Sequence, residues 1–379
     1  MDTISRRAFL KHGAIAGTVL YTSRAIPQTA PAAPGTIRYR ALGSTGWQAS
    51  EIGFGAMNMR DPELVRAAFD AGINYFDTAD GYMNGVNEEV LGAALAPNRE
   101  KVFITTKVNS GTDPARLERD VNACLKRLRT DYIDALLLHG GSSRQMRNQQ
   151  CIDAFGGILR GGKVRFAGVS THSDIAAVLD SATESKFWQI ATLSYNYTSP
   201  REVTNAVARA RASGMAIVAM KTLNKGRGSA RSASPEITPN QAALKYVLQN
   251  RNIDTTIPGM TSFEHLTEDM AVMKMELSSA DRRELERYGE TLGGAFCSGI
   301  LGCTACESQC PKGVSVREIN RCLGYAYGYR DIELAQENYR RLPAANRLGA
   351  CLECGECAVK CVHGLDLNKQ IRKARSLFC

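Results

Sequence analysis

The sequence predicts a (β/α)8 barrel followed by a small helical, ferredoxin-like cysteine-rich domain. Three observations carry this. Eight apolar strand candidates alternate with amphipathic helical patterns within residues 33–290, and eight strand–helix units in about 250 residues is the count of such a barrel. Ten of the twelve cysteines lie in the last 83 residues, from Cys297 to Cys379. The first 32 residues follow neither pattern and carry paired arginines ahead of a weakly apolar stretch. The chain therefore divides into a leading segment (1–32), a barrel (33–290) and a cysteine-rich tail (291–379).

Composition is that of a globular protein, 44% hydrophobic and 22% charged over 379 residues, which excludes disordered and fibrous classes. The net charge is +9, part of it in the leading segment. No basic tract of the kind that grips nucleic acid is present, so no nucleic-acid partner is expected. No apolar run reaches the roughly 20 residues needed to span a bilayer.

The leading segment reads as an address. "SRRAFLK" at residues 5–11 resembles the twin-arginine export signal, with Arg6 and Arg7 followed by Phe9, Leu10 and Lys11. "GAIAGTVLYTS" follows, and Ala30 with Ala32 forms an A-x-A site for cleavage after Ala32. Such segments are set aside in fold reasoning. The resemblance implies an exported, periplasmic protein that meets the export machinery already folded and carrying its cofactors.

After the linker "PQTAPAAPG" the strand candidates are "SEIGFGAM", "INYFDTA", "KVFITTKV", "IDALLLH", "VRFAGVST", "WQIATLSYN", "MAIVAMKT" and "DTTIPGM". Asp61-Pro62 and Asp113-Pro114 open helices, with an acid as N-cap and proline at the first helical position. A doubly wound sheet is the alternative. It would want a complete G-x-G-x-x-G after its first strand, and "GFGAMN" lacks the third glycine.

In a barrel, chemistry sits at the carboxyl ends of the strands. Those ends supply Asp77, Lys107 and His139 on the second, third and fourth strands, with Tyr82 five residues beyond Asp77. Together they make a proton donor for a carbonyl. A free tyrosine has a pKa near ~10, and an ammonium beside it favours the phenolate. Asp77 would hold Lys107 charged and in place. His139 would hydrogen-bond the carbonyl oxygen, and Tyr82 would protonate it as hydride arrives at carbon. Singly, each residue also fits a structural role; the case rests on their joint position.

Here the sequence resembles the aldo-keto reductases. "NYFDTADGYMNGVNEEVLGAAL" is similar to their signature, and "ITTKV", "DALLLH", "GVSTHS" and "TTIPGMTSFEHLTED" fall in the family's order. "YRALGSTGWQASEIGFG" resembles the hairpin that closes the barrel's base. The resemblance covers residues 37 to 290 and implies NAD(P)H-dependent reduction of a small carbonyl substrate, or oxidation of an alcohol. It also implies that Ser170 and Thr171 face the nicotinamide amide and that Tyr195 stacks on its ring. The cofactor's phosphate end would then meet Gly259, Met260, His265 and Glu268. Two departures stand out. His265 occupies a position where arginine is common, and Thr192 one where glutamine is usual. Lys225 and Arg227, in the loop "LNKGRGSARSASPEIT", are the alternative source of phosphate-binding charge. The short polar loop "GGSSRQMRNQQ" after His139 favours polar carbonyls.

The tail contains "CLECGECAVKC", with Cys351, Cys354, Cys357 and Cys361 as C-x2-C-x2-C-x3-C. That spacing suits a [4Fe-4S] cluster better than zinc, which prefers separated pairs. An earlier motif, Cys303, Cys306, Cys310 and Pro311, lacks its first cysteine, whose place is held by Ile300. The two motifs form a weak repeat: glycine three residues after the last cysteine, apolar residues at four and six, then a helix. Ser315 with Glu318 predicts a capping box for the first of these helices. In two-cluster ferredoxins the fourth cysteine of each motif serves the other cluster. Cys351, Cys354, Cys357 and Cys310 then complete one site. Cys303, Cys306 and Cys361 need a fourth ligand, for which Cys297 is the candidate. A three-iron cluster, or one cluster with spare thiols, remains open at this level. Aldo-keto reductases with such a tail form a subgroup, which implies electron exchange with a redox partner protein; purely structural clusters, or an electron carrier on a retained barrel, are the alternatives.

Overall fold

The computed structural model describes residues 37–224, 238–293, 297, 303, 305–328, 331–354 and 356–379. The twin-arginine segment with its site at Ala32 lies outside the described residues, as do Lys225 and Arg227.

An antiparallel hairpin, β1 (Tyr39–Ala41) and β2 (Gln48–Ser50), precedes eight parallel strands. These are β3 (Phe54–Gly55), β4 (Tyr75–Asp77), β5 (Phe103–Val108), β6 (Ile133–His139), β7 (Val164–Thr171), β8 (Ile190–Ser194), β9 (Ala216–Met220) and β10 (Thr255–Thr256). They pair in sequence order, and parallel bridges from Ile52 to Thr256 and from Gly55 to Gly259 close the ring between first and last. Each falls inside one of the eight strand candidates. β10 is short because Pro258 has no N–H to extend a ladder.

Helices α1 (Pro62–Asp70), α2 (Val86–Leu95), α3 (Pro114–Leu128), α4 (Ser143–Met146), α5 (Gln149–Arg160), α6 (Ile175–Ser185), α7 (Arg201–Ala212), α8 (Pro239–Gln249), α9 (Phe263–Ala271) and α10 (Ser279–Gly293) surround the barrel. The proline-marked starts are capped as read: Asp61 accepts from Glu63 N and Asp113 from Arg116 N.

Side chains alternate across each strand with period two. Phe76, Ile104, Leu136, Val169 and Leu193 face outward into the layer shared with the helices. Tyr75, Phe103, Ala135, Phe166, Ile190 and Ala216 face inward, where Leu42, Trp47 and Ala49 of the hairpin join them. Trp47 lies 6.0 Å from the Phe103 ring, so the hairpin floors the barrel. The same inward parity, carried two or four residues further, delivers Asp77, Lys107, His139, Ser170 and Met220 to the open end.

The tail builds its own core from Val314, Val316, Ile319, Leu365, Leu367 and Ile371 with their neighbours. Its helices are α11 (Val316–Tyr327), α12 (Ile332–Arg341) and α13 (Leu367–Phe378). The internal repeat is structural. Gly313 and Gly364 both take left-handed backbone, φ 68° and 76°, and donate to the Cys310 and Cys361 carbonyls at 3.1 and 3.2 Å. The expected capping box is absent: Ser315 makes no side-chain cap bond, and Glu318 is engaged by Arg317 and Arg321 instead.

The tail sits on the open end of the barrel. Arg341 Nη2 donates to Gly81 O at 2.9 Å and Asn84 Oδ1 at 3.0 Å, and Arg317 Nη1 to Ser173 Oγ at 2.8 Å. Tyr325 and Ala326 of α11 pack with Met57.

One residue tests this packing. A Cβ at Gly168 would overlap the Ile190 carbonyl of the next strand and the Leu137 side chain. Gly168→Ala is expected to lower unfolding stability by about 2 kcal/mol or more. An unchanged urea midpoint would contradict the interior described.

Candidate active site

Asp77 and Lys107 close adjacent strands, β4 and β5, and their side chains meet inside the barrel mouth. Lys107 Nζ donates to Asp77 Oδ1 at 2.5 Å and to Thr78 O at 2.6 Å. Both side chains are buried, 1% and 5% exposed. Burial disfavours the ammonium, but the Asp77 carboxylate, aided by Tyr82, more than offsets it and raises the Lys107 pKa above its ordinary value. Lys107 is held charged.

Tyr82 reaches this pair from a turn, not from a strand. Tyr82–Gly85 is a 3-10 turn in which Met83 and Asn84 take left-handed φ of 51° and 55°. The turn bends the chain so that Tyr82 Oη accepts from Lys107 Nζ at 3.5 Å. Negative charge that builds on the phenolic oxygen as its proton leaves is stabilised by that ammonium.

His139 stands edge-on to Tyr82, ring centroids 6.0 Å apart at 84°. Burial, with Lys107, Arg321, Lys221 and Arg341 nearby, lowers its pKa from 6.5 to about 3. It is a neutral imidazole at physiological pH, suited to hydrogen-bond an oxygen without carrying charge. The structure thus brings all four expected catalytic residues together.

A cleft runs from this group across the carboxyl ends of β9 and β10, past Lys221, Asn224, Gly259, Thr261 and His265. His265 Nδ1 accepts from Thr261 N at 3.2 Å, and Ser262 caps α9 beneath it. Asp77 Oδ2, Thr222 Oγ1 and Asn224 Oδ1, from residues that line the cleft, and Ser170 Oγ, at the end of β7, are buried with no hydrogen-bond partner among the described residues. Such a row of unsatisfied polar atoms is costly in a closed interior and fits a polar ligand.

Gly259 and His265 line the cleft as expected, and Ser170 and Thr171 are buried at the end of β7. Thr171 turns its hydroxyl to Ser173 O. Three expectations need correction. Tyr195 does not stack in the cleft: it lies just past β8 on outward parity, its ring is in the outer core, and its hydroxyl engages Asn250 and Thr204. Met260 is fully buried in the same core. Glu268 accepts from Asn240 Nδ2 of α8 rather than lining the cleft.

The sequence reading missed His172 and Lys221. His172 was legible, being two residues beyond Ser170 on the same inward parity. Its Nδ1 is 2.7 Å from Ser194 Oγ, and burial holds its pKa well below the ordinary value. Lys221 had no signal, since it enters the cleft through a left-handed φ of 55°; burial lowers its pKa.

In the tail the cysteines gather in two groups. Cys351 has Cys310, Cys357 and Cys354 as its electrostatic neighbours. Cys297, Cys303, Cys306 and Cys361 surround one small cavity. Among the described residues, no group of three or more His, Cys, Asp or Glu is arranged to hold a metal ion.

The neutral state of His139 has a consequence for stability. Below pH 6.5 the unfolded chain takes up a proton that the folded site refuses until about pH 3. Stability should therefore fall as pH drops, by roughly 2 kcal/mol at pH 5 from this residue. Urea unfolding of wild type and His139→Gln at pH 7 and pH 5 checks this: the variant should show the smaller loss. Equal losses would contradict a neutral His139.

Residues 51–236 match the aldo/keto reductase family model. The methylglyoxal reductase YeaE of Escherichia coli (strain K12) is 29% identical over 278 residues, 67% of this chain and 92% of its own. The L-galactose dehydrogenase of Arabidopsis thaliana is 28% identical over 295 residues, 66% and 92% of the two chains. An aldo-keto reductase from Klebsiella pneumoniae, solved in complex with NADP and acetate, shares the fold with a TM-score of 0.58 at 23% identity, covering 67% of this chain and 95% of that one. Barrel, strand-end residues and family match agree: the barrel region, matched over residues 51–236, is that of an aldo/keto reductase.

Proposed function

We propose that the protein reduces a small carbonyl compound with NAD(P)H, or oxidises the corresponding alcohol, and that its tail holds iron–sulfur clusters. The observation that carries the first part is the buried Asp77–Lys107 pair against Tyr82, with neutral His139 beside it, at the head of a cleft lined by unsatisfied polar atoms. The NADP bound by the Klebsiella relative supports the same reading of the cleft.

The nicotinamide, when bound, supplies the hydride. The chain's residues do the rest. Thr222 and Asn224 have buried polar atoms in residues of the cleft wall that would meet the cofactor, with Ser170 at the end of β7. Thr261 and His265, at the capped start of α9, receive its phosphate end, where helix N–H groups favour an anion. His139 and Tyr82 converge on the carbonyl oxygen, and Tyr82 releases its proton to that oxygen. Lys107 stabilises the phenolate left behind, and Asp77 fixes Lys107 so that no reorganisation is needed.

For the tail, the donor set fits cubane clusters. Four cysteines per group is the ligand count of a [4Fe-4S] cluster. A cubane binds each cysteine to a different iron, so its ligands stand wider apart than those of a single ion. We assign Cys310, Cys351, Cys354 and Cys357 to one cluster and Cys297, Cys303, Cys306 and Cys361 to a second. When bound, such clusters would supply one-electron exchange with a redox partner protein. The twin-arginine segment supports export of the folded, loaded protein to the periplasm.

Tyr82→Phe should reduce turnover roughly 100- to 10,000-fold while leaving NADPH binding, followed by nucleotide fluorescence, intact. Undiminished turnover would sink the assignment. Anaerobically purified protein should carry iron and sulfide for two clusters, and Cys354→Ser should lose one of them. Iron without sulfide, or zinc, would overturn the tail assignment.

A further inference from the structure

The barrel does not finish its own active site. A cavity of about 350 Å³ has Tyr82 and His139 in its wall. The barrel contributes Tyr82, His139 and His172 to its wall, and the tail contributes Arg321, Tyr325 and Arg341. The carbonyl carbon must sit where this cavity meets the cofactor cleft, because Tyr82 and His172 line both. Whatever the tail presents therefore touches the remainder of the substrate.

What it presents is positive charge. Arg321, on the second turn of α11, is 31% exposed as a side chain, yet its Nε is shut from solvent and has no hydrogen-bond partner. One arm of its guanidinium pairs with Glu318, which also receives Arg317 at 3.3 Å; Arg317 has a closer partner in Glu307, at 2.8 Å. Arg341 is committed to Glu337, Gly81 O and Asn84, and Glu337 is the acid in the cavity wall. Asp77 is committed to Lys107. Lys221 lies on the cofactor side, 5.5 Å from the Tyr325 ring. The cavity wall thus holds two guanidiniums, Arg321 and Arg341, against one acid, Glu337, which Arg341 already engages. A buried donor left unpaired costs free energy that a bound acceptor recovers, and an arginine fork is shaped for a carboxylate.

We infer that the substrate is an oxo acid, a carbonyl compound whose own carboxylate is received by Arg321 of the tail while its carbonyl oxygen meets Tyr82 and His139. The inference rests on the carbonyl-reductase reading above and names its substrate class. In the reaction, hydride adds to the carbonyl carbon, the C=O π bond breaks, and the Tyr82 proton completes a hydroxyl. NAD(P)H is oxidised, the oxo acid is reduced to a hydroxy acid, and the carboxylate is unchanged. Arg321 is a specificity residue, and the cysteine-rich tail is part of the substrate site.

The test uses the full-length holoprotein with two matched pairs: succinic semialdehyde against its methyl ester, and D-glucuronate against D-glucose. Wild type should favour at least one acid over its uncharged partner by tenfold or more in kcat/KM. Arg321→Gln should shrink that preference at least tenfold, mainly through KM, and Arg321→Lys should restore part of it. Calorimetric titration of the NADP-loaded protein with the same four compounds gives a readout independent of turnover. Acids that bind in an Arg321-dependent way without turnover would keep the inference and remove the reductase reading. Turnover that favours the uncharged partner in both pairs would overturn the inference and keep the reductase. So would an acid preference that Arg321→Gln leaves intact, and acids that neither bind nor react would also overturn it.

Discussion

The structure is organised around one buried ion pair. Lys107 and Asp77 sit almost wholly out of water with 2.5 Å between charged atoms. Burying two charges is expensive unless each is satisfied in place. Here the ammonium also bonds Thr78 O and faces Tyr82 Oη. The arrangement requires β4 and β5 to be adjacent and parallel, with both side chains pointing inward and Lys107 two residues beyond Thr105, the register partner of Asp77. The closed barrel, the hairpin floor and the large inward side chains below the pair supply that requirement. The pair in turn sets the field in which Tyr82 and His139 act.

That field explains why the imidazole and the phenol differ in role. Burial, with Lys107 nearby, lowers the His139 pKa to about 3, which suits it to act as a neutral hydrogen-bond donor. Tyr82 Oη faces the ammonium at 3.5 Å, which suits the phenol to release its proton. Three strand ends and one strained turn are enough to separate these functions. The tail then adds what a barrel alone lacks, a cationic wall above the reacting centre.

Much of this was legible in the sequence, and the reasons are physical. Period-two alternation places every inward residue, so Asp77, Lys107 and His139 follow from the strands alone, and His172 would have followed by the same rule. Glycine at the third position after the last cysteine of each motif announces a left-handed turn, and Gly313 and Gly364 take it. Tyr195 failed because it lies one residue past β8 and so on the opposite parity, where analogy outran the pattern. Lys221 and the Tyr82 turn depend on left-handed backbone at non-glycine residues, which no spacing advertises. Arg321 was invisible because its meaning comes from α11 docking across the barrel mouth, a contact between segments far apart in the chain. Ser315 looked like a cap, but its partner Glu318 is drawn away by two arginines.

The central requirement of this site is that hydride reach a carbonyl carbon. The most direct measurement is mass spectrometry of the alcohol formed when the purified protein is given NADPH carrying deuterium at both C4 positions and a small aldehyde. Tyr82 and its neighbours predict a product with one deuterium bound to the carbinol carbon. An alcohol formed without deuterium, or deuterated cofactor consumed with no alcohol at all, would contradict it.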